Sequence, residues 1–347
     1  MARLTFPPAA RLRPYCLALA FGLLCLPLNA LAGRVYVSNE DGESVTVLDA
    51  DSGNTVATIP VGKRPRGIKL SHDGSRLYVA VSGLPKCPPT VPDEECAKLK
   101  HDLQADGIAV IDTASLKLVK LLKAGSDPEQ FDLSEDGRRL FIANEDASTL
   151  SVLNVATGAL EATVHVGTEP EGVRASPNGR WVVVTNETGN SITLVDARSF
   201  AVLDTIGVGQ RPRDVAFTPD SATIYISAEF DSAVYRAALP GTRSERLLQL
   251  GKDDRPMGLA LDAARQRLYV STGRGGKVAV IALQGPRLLK EIEVGKRPWG
   301  IALSRDGRRL YSANGPSNDV SIIDTASLTV IKTVPVGSSP WGVVAGG

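Results

Sequence analysis

The chain has 347 residues, with 39 Lys and Arg against 38 Asp and Glu, a formal net charge of +1. That balance argues against general binding to nucleic acid or to an anionic membrane, since either needs a strongly basic face. Aromatic residues make up 5%, too few for a base-stacking groove along a single strand.

In chain order, residues 1–32 read as a secretory signal peptide. Arg3, Arg11 and Arg13 form a positive start, and Leu17 to Leu28 is apolar but too short to span a bilayer. Ala30-Leu31-Ala32 is a small-x-small cleavage site before Gly33. Cleavage after Ala32 leaves no membrane span, and removing three arginines from a charge of +1 leaves residues 33–347 at −2. The expected location is the periplasm or outside the cell.

From residue 61 onward one phrase recurs seven times: Gly, two to four residues, Pro, any residue, then usually Gly. The prolines are Pro65, Pro128, Pro170, Pro212, Pro256, Pro298 and Pro340, at steps of 63, 42, 42, 44, 42 and 42 residues. A fixed period near 40 residues marks propeller or solenoid repeats. The third unit shows what one repeat contains. Gly172 to Ala175 opens a strand, and Ser176-Pro177-Asn178-Gly179 is a turn with Gly supplying positive φ. Trp181 to Thr185 and Ser191 to Val195 are β-branched runs. Asp196-Ala197-Arg198-Ser199 turns into a fourth strand, Val202 to Val208. Four short antiparallel strands with no helical period make a propeller blade. The Asp or Asn that opens the later turn (Asp49, Asp112, Asn154, Asp196, Asp324) is expected to accept amides within its own turn, a structural role.

The first step exceeds 42 by 21 residues, and the excess lies in an insertion over residues 82–106. An unstructured loop of that length is uncommon unless it binds or covers something. It holds Cys87 and Cys96, nine positions apart, and in an exported protein such a pair is expected to form a disulfide. A metal site would need more ligands than the nearby His101 supplies.

The ends set the blade count. Arg34-Val35-Tyr36-Val37-Ser38-Asn39 is a second strand lacking a first, and Pro340-Trp341-Gly342-Val343-Val344 is a first strand lacking a second. Joined, they complete a shared blade and remove the open sheet edges. The expected fold is therefore all-β: one seven-bladed propeller over residues 33–347, with four-stranded antiparallel blades.

Tyr36-Val37-Ser38-Asn39, Phe141-Ile142-Ala143-Asn144 and Val183-Val184-Thr185-Asn186 resemble the YVTN-type repeat of exported bacterial propellers. With a signal peptide, seven blades and a cysteine-bearing insertion in the first full blade, the chain looks most like the propellers associated with pyrroloquinoline quinone (PQQ)-dependent alcohol catabolism. That resemblance implies the propeller fold and an association with such catabolism, not a reaction.

Strand alternation places the Gly-x-x-Pro loops and the loops after each second strand on one face, here face one. Two charge series meet there. Arg64, Arg66, Arg211, Arg213, Arg255 and Arg297 flank the prolines, while repeats two and three carry Asp127, Glu129, Glu169 and Glu171 instead. The mouth is thus expected to be basic on one side and acidic on the other. Glu40, Glu145, Glu187 and Glu229 follow second strands. Trp299 and Trp341 follow their prolines in adjacent repeats, either as core or as flat surfaces for a ligand. The arginines suit carboxylates, or they form inter-blade ion pairs. The leading expectation is a non-catalytic binding or scaffold protein that holds a small anionic ligand, PQQ included, or a periplasmic partner protein. The alternative is an oxidoreductase or lactonase-type hydrolase in which Glu40, Glu145, Glu187 and Glu229 hold calcium. His72, His101 and His165 fall in separate localities, so no His-based triad or metal site is expected.

Overall fold

The computed structural model describes residues 1–2, 33–86, 93–96 and 98–346. The proposed signal peptide falls almost wholly outside the described residues, and so does Cys87 of the proposed Cys87–Cys96 disulfide. Among the described residues no helix is long and apolar enough to cross a membrane.

Seven four-stranded antiparallel sheets form the propeller. Six blades are continuous in sequence, as in the third: Pro170–Ala175, Trp181–Asn186, Ser191–Asp196 and Val202–Gly207, from channel to rim. Its inner strand begins two residues earlier than the sequence suggested. The seventh blade takes its inner strand, Pro340–Ala345, from the end of the chain and its other three, Arg34–Asn39, Ser44–Asp49 and Thr55–Pro60, from the beginning. Val37 pairs with Val343 and Tyr36 with Val344, so the ring closes through backbone hydrogen bonds.

Two short helical segments interrupt the β pattern: Asp93–Cys96 within the insertion and a 3-10 turn over Gly315–Ser317. The insertion joins the second and third strands of the first blade, between Val81 and Gly107.

The core lies between blades. Second and third strands are buried on both faces, as in Trp181–Asn186, except that Ala233–Ala238 leaves Arg236 and Ala238 exposed, and separate apolar clusters fill the gaps between neighbouring sheets. Outer strands are mostly exposed. The turn residues do what their type requires. Asp196 Oδ1 accepts the Ser199 amide at 2.7 Å, and Asp49, Asp112, Asn154 and Asp324 act alike.

Candidate channel-mouth site

Every Gly-x-x-Pro loop repeats one construction. The residue before the proline has a positive φ in all seven blades: Arg64, Asp127, Glu169, Arg211, Arg255, Arg297 and Ser339, at 43° to 59°. Such backbone is disfavoured for these residue types. It turns the carbonyl toward the loop after the second strand, where it accepts an amide in six blades, as from Glu187 to Glu169 at 2.8 Å. The inner strand then bulges. Pro170 pairs with Asn186, but Val173 pairs with Val184, one step out of register, and all four later repeats show the same shift. Face one therefore carries both loop sets, as strand alternation required.

The residues after the prolines follow one another around the mouth in the order Arg66, Glu129, Glu171, Arg213, Met257, Trp299, Trp341. Half of this ring is ionic and half is apolar or aromatic. Arg64, Arg66, Arg211, Arg213, Arg297, Trp299 and Trp341 line one cavity of about 520 Å³, together with Glu40, Glu145 and Glu187. Arg255 and Glu229 stand outside that lining.

The expected division into a basic side and an acidic side does not hold, because the charges interleave. Arg66 bonds Asp127 at 2.5 Å, contacts Glu129, and lies 3.9 Å from Glu145. Arg213 contacts Glu171 and Glu187 and reaches Glu229 at 2.6 Å. Arg211 contacts Glu187, and Arg64 lies 3.2 Å from Glu40. Arg66 and Glu129 are 5% and 3% exposed, so each charge needs its partner: an isolated buried ion costs several kcal/mol, on the order of what a good pair recovers. Four of the six candidate arginines are therefore tied into inter-blade ion pairs.

Arg255 and Arg297 are not. Among the described residues neither makes a side-chain hydrogen bond or ion pair. The Arg255 guanidinium lies over the Phe230 ring at 4.6 Å, and that of Arg297 lies over Trp299 at 5.3 Å. Trp299 and Trp341 stack with centroids 5.4 Å apart and planes 21° apart. Trp341 is 7% exposed and serves largely as packing, while the partly open Trp299 lines the cavity with the guanidiniums of Arg213 and Arg297 over its ring.

The four glutamates proposed as calcium ligands are spread around the mouth, each beside a basic side chain. The carboxylates that do converge are Asp127, Glu129 and Glu145, and the Arg66 guanidinium already sits among them. A neutralised cluster of this kind fits an ion pair better than a cation cage.

Burial separates the titrations. Burial, reinforced by hydrogen bonding with Glu187, pushes the Glu171 carboxyl well above its ordinary range. Burial opposes charge on Glu187 too, but the hydrogen bond with Glu171 and the guanidiniums of Arg213 and Arg211 outweigh it and hold that carboxyl low. The two carboxyls are thus pushed apart in their titration, Glu171 upward and Glu187 downward. Burial also raises Glu145.

The described part of the insertion joins this mouth. Lys86 lines the cavity and bonds Glu40 and Asp41, both at 2.7 Å. Arg64 donates to the Leu84 carbonyl at 2.6 Å, Lys63 pairs with Asp102 at 2.9 Å, and His101 Nε2 lies 2.7 Å from Asp106. Sequence reasoning missed Lys86, whose position in the insertion carries no repeat signal. It also passed over Met257, although counting one residue past each proline would have found it.

With that geometry in place, the comparisons are specific about fold. Residues 32–170 match the family described as "Lactonase, 7-bladed beta-propeller". Antigen Lp49 of Leptospira interrogans is 33% identical over 111 residues, which are 32% of this chain and 23% of that protein, so the match spans about a quarter of that relative. Hydrazine synthase of Kuenenia stuttgartiensis superposes with a TM-score of 0.72 at 22% identity, covering 84% of this chain and 92% of that one. A candidate 6-phosphogluconolactonase from Bacteroides fragilis superposes with a TM-score of 0.73 at 16% identity, covering 92% and 99%. At these identities the shared property is the propeller.

Proposed function

We propose that the face-one mouth binds a small, flat anion, in an exported propeller whose role is binding rather than catalysis. One observation carries this reading: Arg297 is a cavity-lining cation without a carboxylate partner, placed over Trp299 beside a second indole. A carboxylate suits the guanidinium fork, and an aromatic ring system suits the tryptophan pair beside it. PQQ has both features, and the resemblance of the repeat to PQQ-associated propellers supports it as the first ligand to try. A partner protein carrying an exposed carboxylate is the macromolecular version of the same chemistry.

The test is tryptophan-fluorescence titration of residues 33–347 with PQQ and with small aromatic carboxylates. Arg297→Ala should weaken binding by about tenfold or more, the loss of one charge-assisted bond. Arg255→Ala, which removes a cation outside the cavity, should leave it unchanged. Equal affinity in both variants and wild type would refute the site.

A second reading has its own observation. Glu171 and Glu187 line the cavity beside Arg213, the first carboxyl pushed up by burial and the second held low by its partners, an arrangement suited to hydrolysis of a lactone. Glu187 would take a proton from water as the oxygen attacks the ring carbonyl, the guanidinium would face the developing oxyanion, and Glu171 would protonate the departing alkoxide. The lactonase family match supports trying it. Lactone turnover lost in both Glu171→Gln and Glu187→Gln would favour this reading, whereas no turnover by the wild type would remove it.

A further inference from the structure

Below the mouth the channel narrows to a second cavity of about 150 Å³. Glu171, Arg213, Trp299 and Trp341 line both cavities, so they form the floor of one and the ceiling of the other. Four residues past each proline stand Lys69, Asp132, Arg174, Ala216, Ala260, Ala302 and Val344. This layer is as lopsided as the ring above it: ionic in the first three blades, small and apolar in the other four. Ala302, Val344 and Lys69 border the cavity, while Ala216 and Ala260 pack into the cores between blades.

Lys69 has a weak claim on its neighbours. Its Nζ lies 3.4 Å from Asp132 Oδ1, longer than a strong charged contact. Asp132 is already engaged, accepting the Leu133 amide on Oδ1 and the Ala175 amide on Oδ2, both at 3.1 Å. Asp214, the next carboxylate, is held by Arg174 at 2.9 Å and by the Leu259 amide at 3.0 Å. Arg174 adds a like charge to the same layer. Burial first, and then Arg174, depress the Lys69 amine despite Asp132 and Asp214. Yet 23% of its side chain is open. It borders the channel and also a groove lined by His72, Glu135 and Pro177 on the opposite face, so a small solute has a way in.

We propose that Lys69 is a carbonyl-reactive amine that condenses with small aldehydes entering the channel, forming an imine at Nζ. The Nζ lone pair attacks the carbonyl carbon, and the C=O π pair moves to oxygen. Asp132 takes the proton that nitrogen sheds and returns it to that oxygen, giving a carbinolamine. Nitrogen then expels the hydroxyl, which takes a proton from solvent water and leaves as water; the C=N bond forms as an iminium, and the hydroxide left behind removes its N–H proton to give the imine. No oxidant or reductant is needed. The apolar wall of Ile301, Ala302 and Val343 suits the alkyl group of the aldehyde, and the carboxylate stabilises the iminium. The proposal stands apart from the anion site above, since it does not use Arg297, and the two indoles serve only as the ceiling of its cavity.

The experiment treats residues 33–347 with propionaldehyde and sodium cyanoborohydride, which traps the imine as a propylamine, and follows each lysine by peptide mapping between pH 6 and 9. Lys69 should be alkylated about tenfold faster than the exposed Lys117 at pH 7, because more of its amine is neutral there, and its rate should level off at lower pH. Asp132→Asn should slow trapping at Lys69 without changing the rate at Lys117. Lys69→Arg should abolish the adduct on that peptide, and Arg297→Ala should leave it intact, which separates this proposal from the ligand reading. The wild-type comparison needs no variant to fold. Trapping at Lys69 no faster than at Lys117 across the pH range would overturn the idea.

Discussion

Gly167 packs directly against Asn186: a Cβ built on the glycine would lie 2.4 Å from the asparagine Cγ. The Gly167 amide donates to Asn186 Oδ1 at 3.0 Å, and Asn186 Nδ2 donates to Ser191 and Thr193 at 2.9 and 3.0 Å. The pair thus ties the entry of a blade to that blade's own second and third strands. Asn39, Asn144 and Asn314 repeat it against Gly337, Gly125 and Gly295. The Gly of the recurring phrase and the Asn that ends the Tyr-Val-Ser-Asn-like strand are two halves of one contact.

Gly167→Ala should therefore destabilise by about 1–3 kcal/mol, as overpacking against a fixed side chain does. Gly207 is the control, since a Cβ there meets nothing within 4 Å, and Gly207→Ala should be near neutral. Thermal melts of both variants check the difference. Equal melting points would mean that Asn186 yields without cost.

Ring closure is a covalent-order prediction. Deleting residues 340–347 removes the strand that pairs with Arg34–Asn39 and bares an apolar edge containing Val35 and Val37. The shortened chain should lose its cooperative melt or associate, as read by calorimetry and size exclusion. A monomer that melts like the full chain would contradict the shared blade.

Arg213 contacts the carboxyl groups of Glu171, Glu187 and Glu229 in a site where it is itself 8% exposed. Arg213→Met should cost about 3–5 kcal/mol at neutral pH. The loss should shrink as pH falls toward the ordinary glutamate range, because the abandoned carboxyls then protonate. A denaturant series at pH 7 and pH 5 measures both values.

Glu171 carries its own pH signature. Its carboxyl is raised in the folded state, so its contribution is fully present below the ordinary glutamate range and is lost as pH rises through the folded value. Glu171→Gln fixes the neutral form. The melting point of that variant relative to wild type should climb between pH 4 and pH 8, whereas a flat difference would show that Glu171 ionises without strain.

The two tryptophans should separate. Trp341→Ala removes a buried ring and should destabilise by about 3–5 kcal/mol. Trp299 is more open, so Trp299→Ala should cost less in stability and more in ligand affinity, measured by calorimetric titration.

Much of the architecture was legible because the propeller repeats its local rules. The seven prolines set the period, the Asp and Asn turn residues set the strand boundaries, and the incomplete strands at Arg34 and Pro340 set the closure. The site was legible only by position. Arg64, Arg66, Arg211 and Arg213 fall on the face expected of them, but their partners come from adjacent blades, and no periodic signal says which arginine meets which glutamate. Arg255 and Arg297 look identical to the others in sequence. They differ because blades five and six offer Gly273 and Gly315 where four other blades offer glutamate, and the nearby Glu229 is already held by Arg213.

The sequence alone determined the blade count, the four-strand unit and the face that carries the loops, because each follows from contacts within about forty residues and is repeated seven times. Only the tertiary structure decided which charges are spent on one another, that the two indoles stack, and that Lys69 borders a channel cavity. Those outcomes depend on side chains from different repeats meeting around a closed ring, where burial forces each ion to find a partner or shed its charge.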